Sequence, residues 1–288
     1  MRHSLLWATM FAGTLHSVGI SAAGLTGVDL KFINDSNPAK AEFDRDIEEA
    51  SSFLGRVTGN LYLNPLRTDE ITNSGFSLNG SATYEHNADI EGLGESRYRV
   101  SADWFREKKQ ARATPFVRVG LGLSYIDSET QRRDGVVVDV GTSINFQPTN
   151  FFDTTLGAQL AVTDAETNVF DTAKATFFAT ANFSPSPKLV LRTGLRFVAG
   201  DEVSTATPTT NIVNNAEFVE PDEAFGGAPE ERFAYLIGAN SAIAEAGIGY
   251  GVTGSVQANL LYRFVSTQAD GDISYERSLI EFTIGIDL

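Results

Sequence analysis

The chain has 288 residues, 42% of them hydrophobic, with no cysteine and a formal net charge of −15. Without cysteine there is neither a disulfide framework nor a thiolate metal site, and so acidic a balance argues against nucleic acid, whose phosphates need clustered Lys and Arg. The body of the chain holds no run of about 18 uncharged apolar residues, which argues against helical membrane spans.

In chain order, Arg2 and His3 precede an apolar run from Leu5 to Leu15, and Ser21-Ala22-Ala23 follow. This is the charged, apolar and small-residue order of a secretory signal peptide, too short and too polar (Thr9, Gly13, Thr14) for an anchor. Residues 1–23 are therefore expected to be cleaved, leaving 24–288 as one domain that begins near Gly24. From Leu25 onward apolar residues recur at every second position. Phe76, Leu78, Ala82 and Tyr84 alternate with Ser77, Asn79, Ser81 and Thr83. Tyr98, Val100, Ala102 and Trp104 alternate with Arg97, Arg99, Ser101 and Asp103, and Val136, Val138 and Val140 flank Asp139. Period two with no helical period of comparable strength means an all-β architecture.

Strands are expected near 25–33, 52–63, 75–86, 96–106, 115–127, 135–147, 151–163, 170–184, 188–200, 241–250, 255–268 and 273–288. That is about twelve, with ten or fourteen as the bounds, and an even number suits a closed antiparallel transmembrane β-barrel. Gln147–Asn150, Ser184–Pro187 and Gly251–Gly254 read as short periplasmic turns, and 34–51 and 201–240 as long external loops. Acids crowd the external set, notably 42–49 and 217–223, and imply a solvated acidic rim. Asn37 and Pro38, with Phe43 and Ile47 beyond them, suggest a short helix in the first loop.

The last residues, Ile280-Glu281-Phe282-Thr283-Ile284-Gly285-Ile286-Asp287-Leu288, alternate to the end. A free strand frays unless a neighbour pairs with it, and barrel closure supplies that neighbour. The alternation of Phe282, Ile284, Ile286 and Leu288 resembles the C-terminal signal of Gram-negative outer-membrane β-barrels, although that family usually ends in an aromatic residue. The resemblance implies a porin-like protein of the cell outer membrane, in contact with lipid and lipopolysaccharide. It also implies export by the general secretion pathway, insertion by the barrel-assembly machinery, and a monomer. Asp272, Tyr275 and Arg277 further resemble the ending of barrels associated with surface polysaccharides.

With the large apolar residues toward lipid, the inner face carries Arg56, Arg97, Arg99, Asp103, Arg118, Asp139, Arg192, Arg196, Glu245, Arg263 and Glu281, together with Lys31, Lys174, Asp29, Glu85, Asp153 and Asp287. Either these charges pair across strands and fill a structural barrel, or they line a hydrated pore with Arg97, Arg99, Arg192 and Arg196 as an anion-selecting strip. The readings for the whole chain are thus a narrow channel for small solutes, a non-conducting structural or adhesive barrel, or an outer-membrane lipid hydrolase. Beyond the signal peptide the only histidine is His86, and no serine motif accompanies it, so catalysis is not expected. No cofactor and no multi-histidine metal site are expected either. Tyr62, Tyr84, Trp104, Tyr125, Phe151, Phe152, Phe183, Tyr250, Tyr262 and Tyr275 are placed near strand ends as interfacial girdles. Gly120, Gly122, Gly247 and Gly249 read as bends or points of close approach.

Overall fold

A computed structural model describes residues 20–47, 49–68, 72–108, 115–225 and 232–288. The greater part of the proposed signal peptide lies outside them. The wall is made of β1 (Ile20–Asp35), β2 (Ala50–Thr68), β3 (Thr72–Asn87), β4 (Glu95–Lys108), β5 (Phe116–Ser128), β6 (Gly135–Thr149), β7 (Phe152–Ala165), β8 (Thr172–Ser186), β9 (Leu189–Ala206), β11 (Phe233–Gly251), β12 (Val256–Ala269) and β13 (Ile273–Asp287). Each pairs antiparallel with the next, β9 pairs with β11, and β13 returns to β1, so the sheet closes with twelve strands. A thirteenth strand, β10 (Phe218–Pro221), lies beside the external end of β11 and outside the wall.

Alternation decides what each face meets. Leu25, Leu121, Leu156 and Leu195 are all more than half exposed to the exterior. A continuous apolar belt of this kind is stable only in hydrocarbon, where closure also gives every backbone N–H and C=O a partner. Tyr84, Tyr98 and Tyr125 stand exposed toward one rim and Phe151, Phe183 and Tyr250 toward the other, as interfacial girdles require. Two aromatics depart from that expectation. Tyr275 is buried on the inner parity, and Tyr262 sits mid-strand with its hydroxyl 3.1 Å from Ser278 Oγ. The Tyr62 side chain lies outside the described residues.

The conventional core sits above the belt, not in it. Residues 201–240 are not a simple loop: β9 continues to Ala206 and β11 starts at Phe233, paired from Ala206↔Phe233 down to Asp201↔Gly238. With β10 and a short helix, α1 (Thr210–Asn215), capped by Thr209 Oγ1, this extension forms a lid. Its sequence does not alternate because both faces are covered by protein. Tyr235 and Ile237 pack with Ala39, Ala41, Ile90, Ile212, Phe225 and Ile273 on one side, while Ala234 and Leu236 pack with Val169 and Phe170 on the other. Gly200 permits the bend, with φ of 132° at the last β8–β9 pair, a conformation that side-chain-bearing residues rarely adopt.

The lid is tied to all five other external connections. Thr205 N donates to Ala39 O at 2.8 Å in the first, and Ala224 rests directly on Gly92 in the second. Arg133 of the third meets Asp222 at 2.6 Å, Phe170 of the fourth packs beneath Leu236, and Asn211 donates to Gly271 O of the sixth at 2.9 Å. The expected helix in the first connection is replaced by one 3₁₀ turn, Asp44–Asp46. Asn37 does not cap a helix there. Its side chain bonds Ala41 N at 3.0 Å and Ala41 O at 2.9 Å, and Lys40 takes a left-handed φ of 56° that ends any helix. The acidic rim is also less solvated than expected. Asp35, Asp46 and Asp222 are buried and Glu202 nearly so, with partners Arg277, Thr207, Arg133 and Lys40.

Candidate functional site

The inner parity of the wall carries two clusters of charge. In the larger, Arg196 of β9 meets Glu245 of β11 at 3.1 Å, and Arg263 of β12 meets the same carboxylate at 2.8 Å. Arg263 also touches Glu281 of β13, which Lys31 of β1 reaches at 2.9 Å. Charges thus alternate in sign across five consecutive strands and across the seam that closes the barrel. Beside Lys31, Arg56 bonds Asp29 through two nitrogens, at 2.9 and 2.5 Å.

The second cluster lies on β3–β7. Arg118 meets Asp103 at 2.5 Å, and Asn79 donates to the same carboxylate at 2.6 Å. Arg99 grips both oxygens of Asp139, one at 2.9 Å, and Gln159 adds a bond at 3.1 Å. Bidentate guanidinium–carboxylate pairs of this kind fix geometry as well as charge. A recess of about 260 Å³ opens among Arg99, Ser101, Arg118, Gly141, Gln159 and Phe178.

The structure therefore joins nine of the eleven residues expected on the inner face into two networks plus the Arg56 pair. Arg97 and Arg192 stand apart: Arg97 pairs with Glu95 of its own strand at 3.0 Å, and Arg192 bonds the neutral Asn182 at 3.1 Å. Arg97, Arg99, Arg192 and Arg196 are not one strip, because β5–β8 separate the two strands that bear them.

Within each pair the two signs are unequally exposed. Glu245, Asp139 and Asp103 keep 2, 7 and 8% of their side-chain surface, while Arg196, Arg99 and Arg118 keep 39, 35 and 50%. The acids lie against the wall and the guanidiniums cover them. In these three pairs the arginines are thus the more exposed charges on a face whose formal charge nearly balances.

Three residue groups important to the external end were not identified from the sequence as functional. Lys40 is partly buried against Glu202, which also meets Lys174 at 3.3 Å. Burial pushes the Lys40 ammonium down to about 8, against the pull of Glu202. Burial opposes ionisation of Glu202 too, but Lys40 and Lys174 outweigh it and hold that carboxyl at about 2. The third group is Phe233–Ile237, whose unbroken apolar run could have marked a segment covered on both faces. His86 is exposed on the outer parity opposite Phe53, apart from either charge cluster. The 217–223 acids face arginine: Glu220 and Glu223 approach Arg132 at 3.4 and 3.5 Å.

No family model matches the chain, and no curated protein matches it. Its architecture does match solved structures. An outer membrane channel from Pseudomonas putida F1 superposes with a TM-score of 0.53 at 11% identity, covering 92% of this chain and 96% of that one. The fold is that of an outer-membrane β-barrel. The NanC porin (TM-score 0.47, 7% identity, 91% and 100% covered) and the channel DcaP of Acinetobacter baumannii (0.45, 9%, 92% and 97%) are more distant likenesses. With its closed sheet and apolar exterior, the chain is a membrane-embedded barrel in contact with outer-membrane lipid.

Proposed function

We propose that this barrel is a narrow porin-like channel for small anionic solutes. The observation that carries the reading is the unequal exposure along the inner face, where guanidiniums cover recessed carboxylates. A basic low-dielectric passage concentrates anions and raises their rate of entry. Arg56, Arg97, Arg99, Arg118, Arg192, Arg196 and Arg263 are the lining cations, and Asp103, Asp139, Glu245 and Glu281 hold most of them in place. The lid is the external constriction. Closure within a single chain means that the pore needs no partner copy to complete its wall, and the reading is of a monomer without a catalytic role. The Pseudomonas putida neighbour is itself described as a channel, which agrees with this reading. Signal cleavage before Gly24 would leave β1 paired to β2 from that residue onward, and N-terminal sequencing of the mature protein tests it.

Planar-bilayer recording of the purified chain under a salt gradient tests the channel. Stepwise conductance with a reversal potential on the anion side is expected, and Arg99→Ala with Arg196→Ala should move it toward zero. The lid's contacts with every other external connection favour one second reading, a non-conducting barrel that presents the lid as an adhesive surface. Silence from both the full chain and a chain lacking residues 207–231 would establish that alternative over the pore.

A further inference from the structure

Four of the inner-face carboxylates share a feature of register that Glu281, opposite Ile33 and Leu261, does not. Asp103 stands directly opposite Gly120, Asp139 opposite Gly122, Glu245 opposite Gly194 and Asp29 opposite Gly285. Glycine is disfavoured inside strands because it adds backbone entropy and packs nothing. None of these four has the positive φ that would demand glycine for a bend. What they provide is room. A methyl group at Gly122 would lie 2.5 Å from Asp139 Oδ2 and collide with the Arg99 guanidinium, and one at Gly120 would collide with an Asp103 oxygen. At Gly194 it would come within 2.9 Å of Glu245 Oε2, and at Gly285 within 3.0 Å of Asp29 Oδ1. These four acids can lie flat because the position across one strand pair has no side chain.

We infer that Gly120, Gly122 and Gly194 are the specificity-determining residues of the passage: by recessing Asp103, Asp139 and Glu245 they leave arginine as the charge that a permeating anion meets. The inference rests on the anion-channel reading. Its ligand class is a small oxyanion or carboxylate, since the β4–β7 recess of about 260 Å³ is small and is lined by the Arg99 and Arg118 guanidiniums. An alanine at these positions meets the mobile ends of side chains, so the wall can stay closed while the carboxylate turns toward the passage. The exposed field then falls, although the chain's formal charge is unchanged.

The experiment measures reversal potentials in planar bilayers under a potassium chloride gradient for the full-length protein, Gly122→Ala, Gly194→Ala and the control Gly55→Ala. Gly55 lies on the outer parity, and an added Cβ there meets nothing within 4 Å. The anion-to-cation permeability ratio should fall by up to about tenfold in Gly122→Ala and Gly194→Ala, the lower bound of the enrichment a charged cleft produces. It should stay unchanged in Gly55→Ala, and adding Asp139→Asn to Gly122→Ala should restore it. An unaltered protein without anion preference would remove the channel reading itself. An anion-preferring protein whose folded Gly122→Ala and Gly194→Ala variants keep the same ratio would overturn the inference alone. Failure of both variants to reach the heat-modifiable folded form would also overturn it, since the glycines would then serve closure, not selectivity.

Discussion

Glu245 is the residue on which most of the inner network converges, because it serves Arg196 and Arg263 together. Removing one member of a buried ion pair costs about 3–5 kcal/mol when the orphaned charge stays buried. Here the two arginines are a quarter to two-fifths exposed and water can solvate them, so Glu245→Ala should cost only ~1–2 kcal/mol. Urea unfolding in lipid vesicles would read that loss. The inner parity of Glu245 was legible in the alternation of its strand. Its partners were not, because which acid meets which arginine depends on the register between strands, and period two leaves register open. At the mouth, Glu202 makes the lid sensitive to acid. Its carboxyl is held at about 2, below the ordinary 4.5, so its stabilising contribution is complete above pH 4.5 and is lost as pH falls through about 2. Lys40 acts oppositely: its depressed value of about 8 means a cost present below pH 8 and relieved as pH rises toward 10.5. Lys174, Arg277 and Tyr275 share this environment. The protection of Thr205 N–H, bonded to Ala39 O, against hydrogen exchange, taken relative to the intrinsic rate at each pH, should fall below pH 4.5, and Glu202→Gln should abolish that fall.

Elements divide according to what covers them. The twelve wall strands were legible because lipid meets one face and polar groups the other, so sequence and burial share a period. The lid was not, since Phe233–Ile237 is buried on both faces and carries no alternation. Likewise the apparent helix signal at Asn37 and Pro38 is overridden by side-chain bonds to Ala41 and by the left-handed Lys40. The turn of β9 into the lid depends on Gly200, where any Cβ would collide with the backbone carbonyl of Ala173 at a φ reserved for glycine. Gly200→Ala should therefore cost about 1–3 kcal/mol at the bend and undock the lid while the wall stays closed. The backbone at Lys40, held by the bonds of Thr205 N to Ala39 O and Ser204 Oγ to Lys40 O, would then be released, and trypsin should cut after Lys40 faster in the variant than in the native protein.

For the molecule as a whole, the shortest seam is the one that makes it a barrel. It runs only from Gly27 opposite Asp287 to Asp35 opposite Leu279, against Phe233–Tyr250 between β11 and β9. Lys31 and Glu281 clasp it on the inside, and Arg277 grips Asp35 at its external end. Replacing Lys31 and Arg277 with Met should lower the temperature at which the barrel loses its compact migration in detergent gels. The loss should remain a single step, with no partly open band.

The Lys31–Glu281 clasp joins residues 250 positions apart in the chain. Nothing local can nucleate it, and bringing such distant segments together is slow and entropically costly. The order of assembly follows. Neighbouring hairpins can form as they meet, but the circle is completed only when the first strand and the last find each other. Until then both edges offer unpaired backbone to any passing strand, so the chain needs protection for as long as its two ends remain strangers.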